Sequence, residues 1–148
     1  MMRRALVTLI FLVIVLGGGL AIGAVARPDG WYAALAKPPF NPPNWVFAPA
    51  WTLLYVMIAV AGARSYERSG GFALWVTQMA LNFAWTPAFF LLHRPAPALA
   101  IVVALLAIIL IFIWTRWTAD RVSALLFVPY AAWVAFATLL NAAIVVLN

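Results

Sequence analysis

Five stretches of this chain run for about 17 residues or more without a charged side chain. They are Ala5 to Ala26, about Trp45 to Ala63, about Gly71 to Leu92, about Ala98 to Trp114 and about Val122 to Leu147. A helix crosses a bilayer core in about 20 residues, a membrane strand in about 9–11. Each stretch therefore suits a helix and is too long for a strand. None alternates apolar with polar residues, as the strands of a membrane barrel do. A helix also satisfies its own backbone hydrogen bonds, which hydrocarbon requires. The pattern predicts an all-α integral membrane protein. It places five transmembrane helices over about 5–26, 45–63, 71–92, 98–114 and 122–147, in one membrane domain spanning 1–148.

Composition closes off other classes. Hydrophobic residues make up 68% of the chain and charged residues 8%, against about 45–50% and about 25% in soluble domains. Twelve charged side chains cannot cover a soluble surface of this size, so a soluble enzyme or binding module is excluded. No cysteine is present, which removes disulfides, thiolate metal sites and cysteine nucleophiles. One histidine cannot build a multi-histidine metal centre, and no metal site is expected. The net charge of +6 reads as topology information rather than as a nucleic-acid surface.

The connections are short except for Arg27 to Asn44, which holds Pro28, Pro38, Pro39, Pro42 and Pro43. So many prolines exclude regular helix, and the segment is expected to fold as a long loop against the bundle. Arg3, Arg4, Arg64, Arg68, Arg116 and Arg121 fall on the N-terminal side; Arg27, Lys37 and Arg94 fall on the other. This bias predicts a cytoplasmic N-terminus, with the proline-rich loop and the C-terminus on the opposite side. Arg3 and Arg4, the first apolar run and Ala24-Val25-Ala26 imitate a cleaved leader. The run exceeds the usual 7–15-residue leader core, so it is read as a retained helix.

Gly19 and Gly23, Ala59 and Ala63, Ala100 and Ala104, and Ala131 and Ala135 repeat a small-x-x-x-small spacing. That spacing brings backbones together, either within the bundle or across a dimer face. Pro49, Pro87 and Pro129 lie within or near the starts of spans and can kink them. Three helical faces mix rings with neutral polar groups: Trp51, Tyr55 and Ile58; Asn82, Trp85, Thr86 and Phe89; Tyr130, Trp133, Ala137 and Asn141. Neutral polar groups avoid lipid, so these faces should meet inside. They form either a cavity for a large, flat, mostly apolar ligand or a packed interior with hydrogen bonds between helices. Trp114 and Trp117 read as interfacial anchors. No acidic or basic residue lies in the central part of any span, which argues against an ion-coupled transporter.

Four blocks carry a resemblance. The first reads W-Y-A-A-L-A-K-P-P-F-N-P-P-N-W from Trp31 to Trp45, and it leads into V-F-A-P-A-W-T-L-L-Y ending at Tyr55. Next come L-N-F-A-W-T-P-A-F-F, Leu81 to Phe90, and L-F-V-P-Y-A-A-W, Leu126 to Trp133, followed by A-x-x-L-N, Ala137 to Asn141. Their order and spacing resemble the TspO/MBR family: the tryptophan-rich sensory proteins of bacteria and the translocator protein (peripheral benzodiazepine receptor) of mitochondria. The resemblance covers essentially the whole chain.

It implies a five-helix bundle, often a homodimer, with a ligand pocket under the first loop. Porphyrins and haem are the ligands it implies first, then sterols and benzodiazepine-type compounds; no cofactor is obligatory. Trp51 and Trp133 resemble facing pocket tryptophans, Asn82 the pocket amide, and Ala137 a small residue that leaves room. Trp31, Tyr32 and Pro42 resemble the loop residues that close the site. With the faces above, the expected ligand-binding set is Trp31, Tyr32, Pro42, Trp51, Tyr55, Asn82, Trp85, Phe89, Tyr130, Trp133, Ala137 and Asn141. The chain departs from many relatives at Pro39-Phe40, where they carry an aromatic pair. It also lacks a Tyr and an Arg after Asn141, so sterol binding has less support than porphyrin binding.

His93, at a span end beside Arg94, reads as an interfacial histidine rather than a haem ligand. The leading expectation is a porphyrin-binding sensor or carrier in a bacterial inner membrane. One rival is an enzyme that degrades porphyrin in light at the Trp51–Trp133 pair; no other catalytic constellation is present. The other rival is a regulatory protein that binds membrane partners through its small-residue faces.

Overall fold

The computed structural model describes residues 1–68 and 70–148, and among these the regular structure is helical. Helix α1 spans Met2–Val25, α2 Gly30–Ala34, α3 Phe47–Glu67, α4 Phe72–Thr86, α5 Pro95–Ala119 and α6 Arg121–Leu147. A 3₁₀ turn, Asn44–Val46, leads into α3, and a π-helical turn, Pro87–Leu91, extends α4. Among the described residues, four helical stretches are long and apolar enough to cross a membrane: Met2–Val25, Asn44–Glu67, Pro95–Ala119 and Arg121–Leu147. The third expected span, 71–92, is divided. Pro87 has no N–H to continue the α ladder, and the chain widens there, with Leu92 N–H donating to Pro87 O at 2.9 Å.

Two expectations about connections need correction. The segment from Arg27 to Asn44 is not free of regular helix. Between Pro28 and the Pro38-Pro39 pair the chain forms α2, because Asp29 Oδ1 accepts from Tyr32 N–H at 3.2 Å and caps its start. The connection expected over 115–121 shrinks to Asp120, since α5 runs on to Ala119 and α6 begins at Arg121. Likewise α3 continues to Glu67, past the expected end at Ala63. Chain polarity misplaced these ends: a helix leaving lipid continues into water as long as its ladder holds.

Around the bundle α1 packs on α3, α3 on α6, α6 on α5 and α5 on α4, and α4 meets α1 along a thinner seam. The core holds Val15, Ile58, Leu105, Ile109, Phe112, Phe127 and Val134, all fully buried. Leu6, Leu9, Val13, Ile14, Leu110 and Leu139 point outward and are exposed. A bundle with an apolar core and an equally apolar exterior matches a lipid solvent.

Close approach depends on two glycines. A methyl group on Gly19 would run into the Tyr55 ring, and one on Gly62 would run into Trp75 and Phe11. The gap at Gly62 lets Trp75 Nε1 donate to Ile58 O at 2.9 Å. Gly23, the other half of the first small-residue pair, has open space where its Cβ would stand.

The N-terminal end of the bundle is tied by charge. Arg64 grips Asp120 with two bonds, Nη2 to Oδ1 at 2.7 Å and Nε to Oδ2 at 3.2 Å. Ser123 Oγ donates to the same carboxylate at 2.6 Å. Burial alone would push the Asp120 carboxyl up; the bonds from Arg64 and Ser123 and the guanidinium charge outweigh it and bring it down to about 2. At the opposite end Asn148 pairs with a backbone peptide: Oδ1 accepts from Ala36 N–H at 3.1 Å and Nδ2 donates to Ala36 O at 2.9 Å. This fastens the proline-rich segment to the last turn of α6.

Candidate functional site: an aromatic chamber under the first loop

Sequence spacing puts Trp51 and Tyr55 on one face of α3, Asn82 and Trp85 on one face of α4, and Tyr130, Trp133 and Ala137 on one face of α6. The structure turns all three inward. Tyr55, Asn82, Trp85, Phe89, Tyr130, Ala137 and Asn141 are buried, and Trp51 and Trp133 are partly so. The Trp51 ring is the hub. Its centroid lies 5.5 Å from Tyr55 and 6.4 Å from each of Trp85, Tyr130 and Trp133, with Trp133 perpendicular to it at 90°. Edge-to-face packing of this kind sets the positive rim of one ring against the negative face of the next.

The amides on these faces bond to other helices. Asn82 Nδ2 donates to Tyr130 Oη at 2.7 Å, and Tyr130 Oη donates to Gln78 Oε1 at 2.7 Å. Trp85 Nε1 donates to Asn141 Oδ1 at 3.0 Å, and Asn141 Nδ2 donates to Pro95 O at 2.8 Å. Asn82 and Tyr130 are thus tied to each other across α4 and α6. Trp133 Nε1 is different: it is buried and has no hydrogen-bond partner among the described residues. A buried donor without a partner costs on the order of 1–3 kcal/mol, which marks the spot.

Two cavities flank Trp51 and Trp85. The smaller, about 20 Å³, lies between α3, α4 and α6, where the three faces converge. Phe47, Phe136, Leu140 and Ile144 wall it together with Tyr32, Trp51, Trp85, Phe89, Trp133, Ala137 and Asn141. It has room for about one water molecule. The larger, about 450 Å³, lies on the α1 side, between Gly19, Ile22 and Gly23, then Phe47, Trp51 and Tyr55, then Trp85 and Phe90. That size is within the usual range of about 300–1,000 Å³ for small-molecule pockets. Asn82, Tyr130, Trp31 and Pro42 line neither of these two cavities. The large space therefore borders α1, which sequence reasoning did not assign to the site.

The loop closes over the outer end. Trp31 lies 5.8 Å from Phe89, and Tyr32 lies 5.2 Å from Phe90. Tyr32 Oη donates to Asn41 Oδ1 at 3.0 Å, and Asn41 Nδ2 donates to Pro42 O at 3.3 Å. Pro42 thus stands behind Tyr32 through Asn41. Burial raises the Tyr32 phenol above its ordinary range, and Asn41 offsets part of that. His93 stacks on Trp31 with centroids 4.3 Å apart, and its Nε2 meets Asp29 Oδ2 at 3.1 Å. The Tyr32 N–H, with His93 beside it, holds the Asp29 carboxyl below the usual carboxylate range. No group of three or more metal-ligating side chains occurs among the described residues.

Several residues of the chamber escaped the sequence reading. Phe47 sits one turn before Trp51, and Leu140 and Ile144 continue the Trp133 and Ala137 face, so extending each face by a turn would have found them. Gly19 and Gly23 read only as a close-packing pair and Ile22 carried no signal, because an apolar helix looks alike on every side.

The TspO/MBR family profile matches residues 7–147. The chain is 39% identical to Protein CrtK of Rhodobacter capsulatus, over 86% of this chain and 84% of that one. It is 40% identical to the tryptophan-rich sensory protein of Cereibacter sphaeroides, covering 84% and 81%. It is 35% identical to the translocator protein of Bos taurus, covering 84% and 79%.

Proposed function

The chain belongs to the TspO/MBR family and is an integral membrane protein, and from that premise we propose that it is a receptor, sensor or carrier that takes porphyrins and haem into the chamber around Trp51, Trp85 and Trp133. The observation that carries this reading is the buried N–H of Trp133, unpartnered among the described residues, in the wall of the 20 Å³ cavity that shares Trp51 and Trp85 with the 450 Å³ one. Trp51 and Trp85 stand between the large and small cavities. A rotation of these two rings would join the spaces and let a flat macrocycle stack on Trp51 while meeting the Trp133 N–H. Tyr55 and Phe89 extend the apolar wall, Ala137 leaves room, and Asn141 offers an amide edge. Asn82 and Tyr130 brace the helices behind that wall. Trp31, Tyr32 and Pro42 form the lid that excludes water.

In this reading α4 and its π turn, with helical backbone over 72–91, make the fifth crossing of a single membrane domain over 1–148. The N-terminus lies in the cytoplasm of a bacterial cell, at the inner membrane, and the lid and C-terminus lie on the far side. Ala100 and Ala104 are exposed on α5 and give a second copy a surface for close approach. Sterols and benzodiazepine-type compounds are secondary ligands of the same apolar space, and no cofactor is required.

Titrating the protein in lipid nanodiscs with protoporphyrin IX should quench its tryptophan fluorescence. The Trp51→Ala/Trp133→Ala double variant should bind about tenfold or more weakly, because two stacking partners are lost. Unchanged affinity would remove the assigned chamber. The 6.4 Å perpendicular Trp51–Trp133 contact favours one rival reading, light-driven oxidation of the bound ring by dioxygen next to an oxidisable indole pair. Ring-opened product that forms in illuminated, aerated wild type and is lost in the double variant would favour that rival; relatives are named as sensory or translocator proteins.

A further inference from the structure

The large cavity has a polar mouth. At its outer end it shares Arg27, Pro28 and Phe90 with a second space of about 490 Å³, which adds Asp29 and His93 to its wall. One compartment is bounded by glycines and rings, the next by a guanidinium, a carboxylate and an imidazole. We propose that this mouth is an anion subsite in which Arg27 takes the carboxylate of an amphipathic ligand whose flat apolar body lies between α1, α3 and α4. The proposal rests on the ring-ligand reading given above and specifies the chemistry that such a ligand must carry.

The charges at the mouth support it. Asp29 has both oxygens engaged, Oδ1 by the Tyr32 N–H at 3.2 Å and Oδ2 by His93 at 3.1 Å. Arg27 is exposed and makes no ion pair among the described residues, although it borders both spaces. A guanidinium presents a planar fork of donors that matches a carboxylate in two parallel bonds. It stands just past the last turn of α1, where apolar wall gives way to water. A neutral apolar ligand would leave this donor fork unused. A ligand with an acidic edge would fill both compartments at once, with its edge outward. Asp29 repels that edge, but its bonds to Tyr32 and His93 fix its position, and Arg94 adds a further positive charge next to His93.

Protoporphyrin IX and its dimethyl ester separate ring binding from carboxylate anchoring, since they share the macrocycle and differ in charge. In phosphatidylcholine nanodiscs, wild type should bind the diacid more tightly than the ester. Arg27→Gln should weaken the diacid by about tenfold and leave the ester within about twofold of wild type, while Arg27→Lys should retain part of the preference. The proposal is overturned if Arg27→Gln binds the diacid as wild type does, or loses both ligands equally. It is also overturned if phosphatidylglycerol in the disc erases the difference between wild type and Arg27→Gln, since Arg27 would then serve a lipid phosphate. Binding of neither compound by wild type would instead sink the ring-ligand reading, and the anion subsite with it.

Discussion

At Tyr130 one hydroxyl serves two buried amides, accepting from Asn82 and donating to Gln78. Tyr130→Phe keeps the ring and leaves both amides short of a partner inside the bundle. Stability of the detergent-solubilised protein should fall by about 1–3 kcal/mol, read from denaturant or thermal unfolding. Protoporphyrin affinity should hardly change, because Tyr130 borders neither cavity. A large loss of affinity at unchanged stability would instead put Tyr130 in contact with ligand. Trp133 is the converse case. Its N–H has no partner to lose among the described residues, so replacing it with Phe should cost little stability and weaken ligand binding.

Among the elements, α1 bears most directly on the space available to a ligand. Its glycines act differently according to what faces them. Gly19 meets Tyr55, whereas Gly23 meets open space. Across the bundle Gly62 meets Trp75 and Phe11. Gly62→Val should therefore lower stability by about 1–3 kcal/mol through overpacking. Gly23→Ala should be near neutral or slightly stabilising, since alanine is the better helix former. Parallel unfolding curves for the two variants test this; equal losses would mean that α1 does not pack as described. The lid is held as an element too, by Trp31 and Tyr32 on the π turn and by Asn148 on Ala36.

For the molecule as a whole, the Arg64–Asp120 pair fastens α3 to the junction of α5 and α6. Asp120 titrates lower in the folded state than its ordinary value of 3.8, at about 2. Its contribution to stability is thus complete above about pH 4 and is lost as pH falls toward 2. Acid unfolding of wild type should show that loss in this window. Arg64→Ala should shrink it and destabilise the protein by about 1–3 kcal/mol at neutral pH, because the carboxylate then keeps only the longer contact to Arg68, at 4.0 Å, and the Ser123 bond. An Arg64→Ala variant with the wild-type acid profile would refute the assignment. The charge bias gives a second test at this scale. A reporter that folds only in the cytoplasm, fused after Asn148, should be silent.

The helical class, the membrane solvent and the inward faces were all legible in the chain, because each follows from local periodicity. Charge-free runs fix helices in lipid, and i, i+3, i+4 spacing gathers Trp51 with Tyr55 and Trp133 with Ala137 whatever the rest of the fold does. The four motif blocks added the family for the same reason, since order and spacing are properties of sequence. Only the tertiary structure decided where the room is. Whether converging faces enclose a cavity or fill it depends on how side chains from separate helices interlock, and here they close the α3–α4–α6 centre to about 20 Å³ while leaving about 450 Å³ beside α1. It also decided which polar groups are already partnered. Asn82 and Trp133 look alike as polar groups on buried faces, yet one finds a hydroxyl on a distant helix and the other finds no partner among the described residues, a distinction set by contacts dozens of residues apart in the chain.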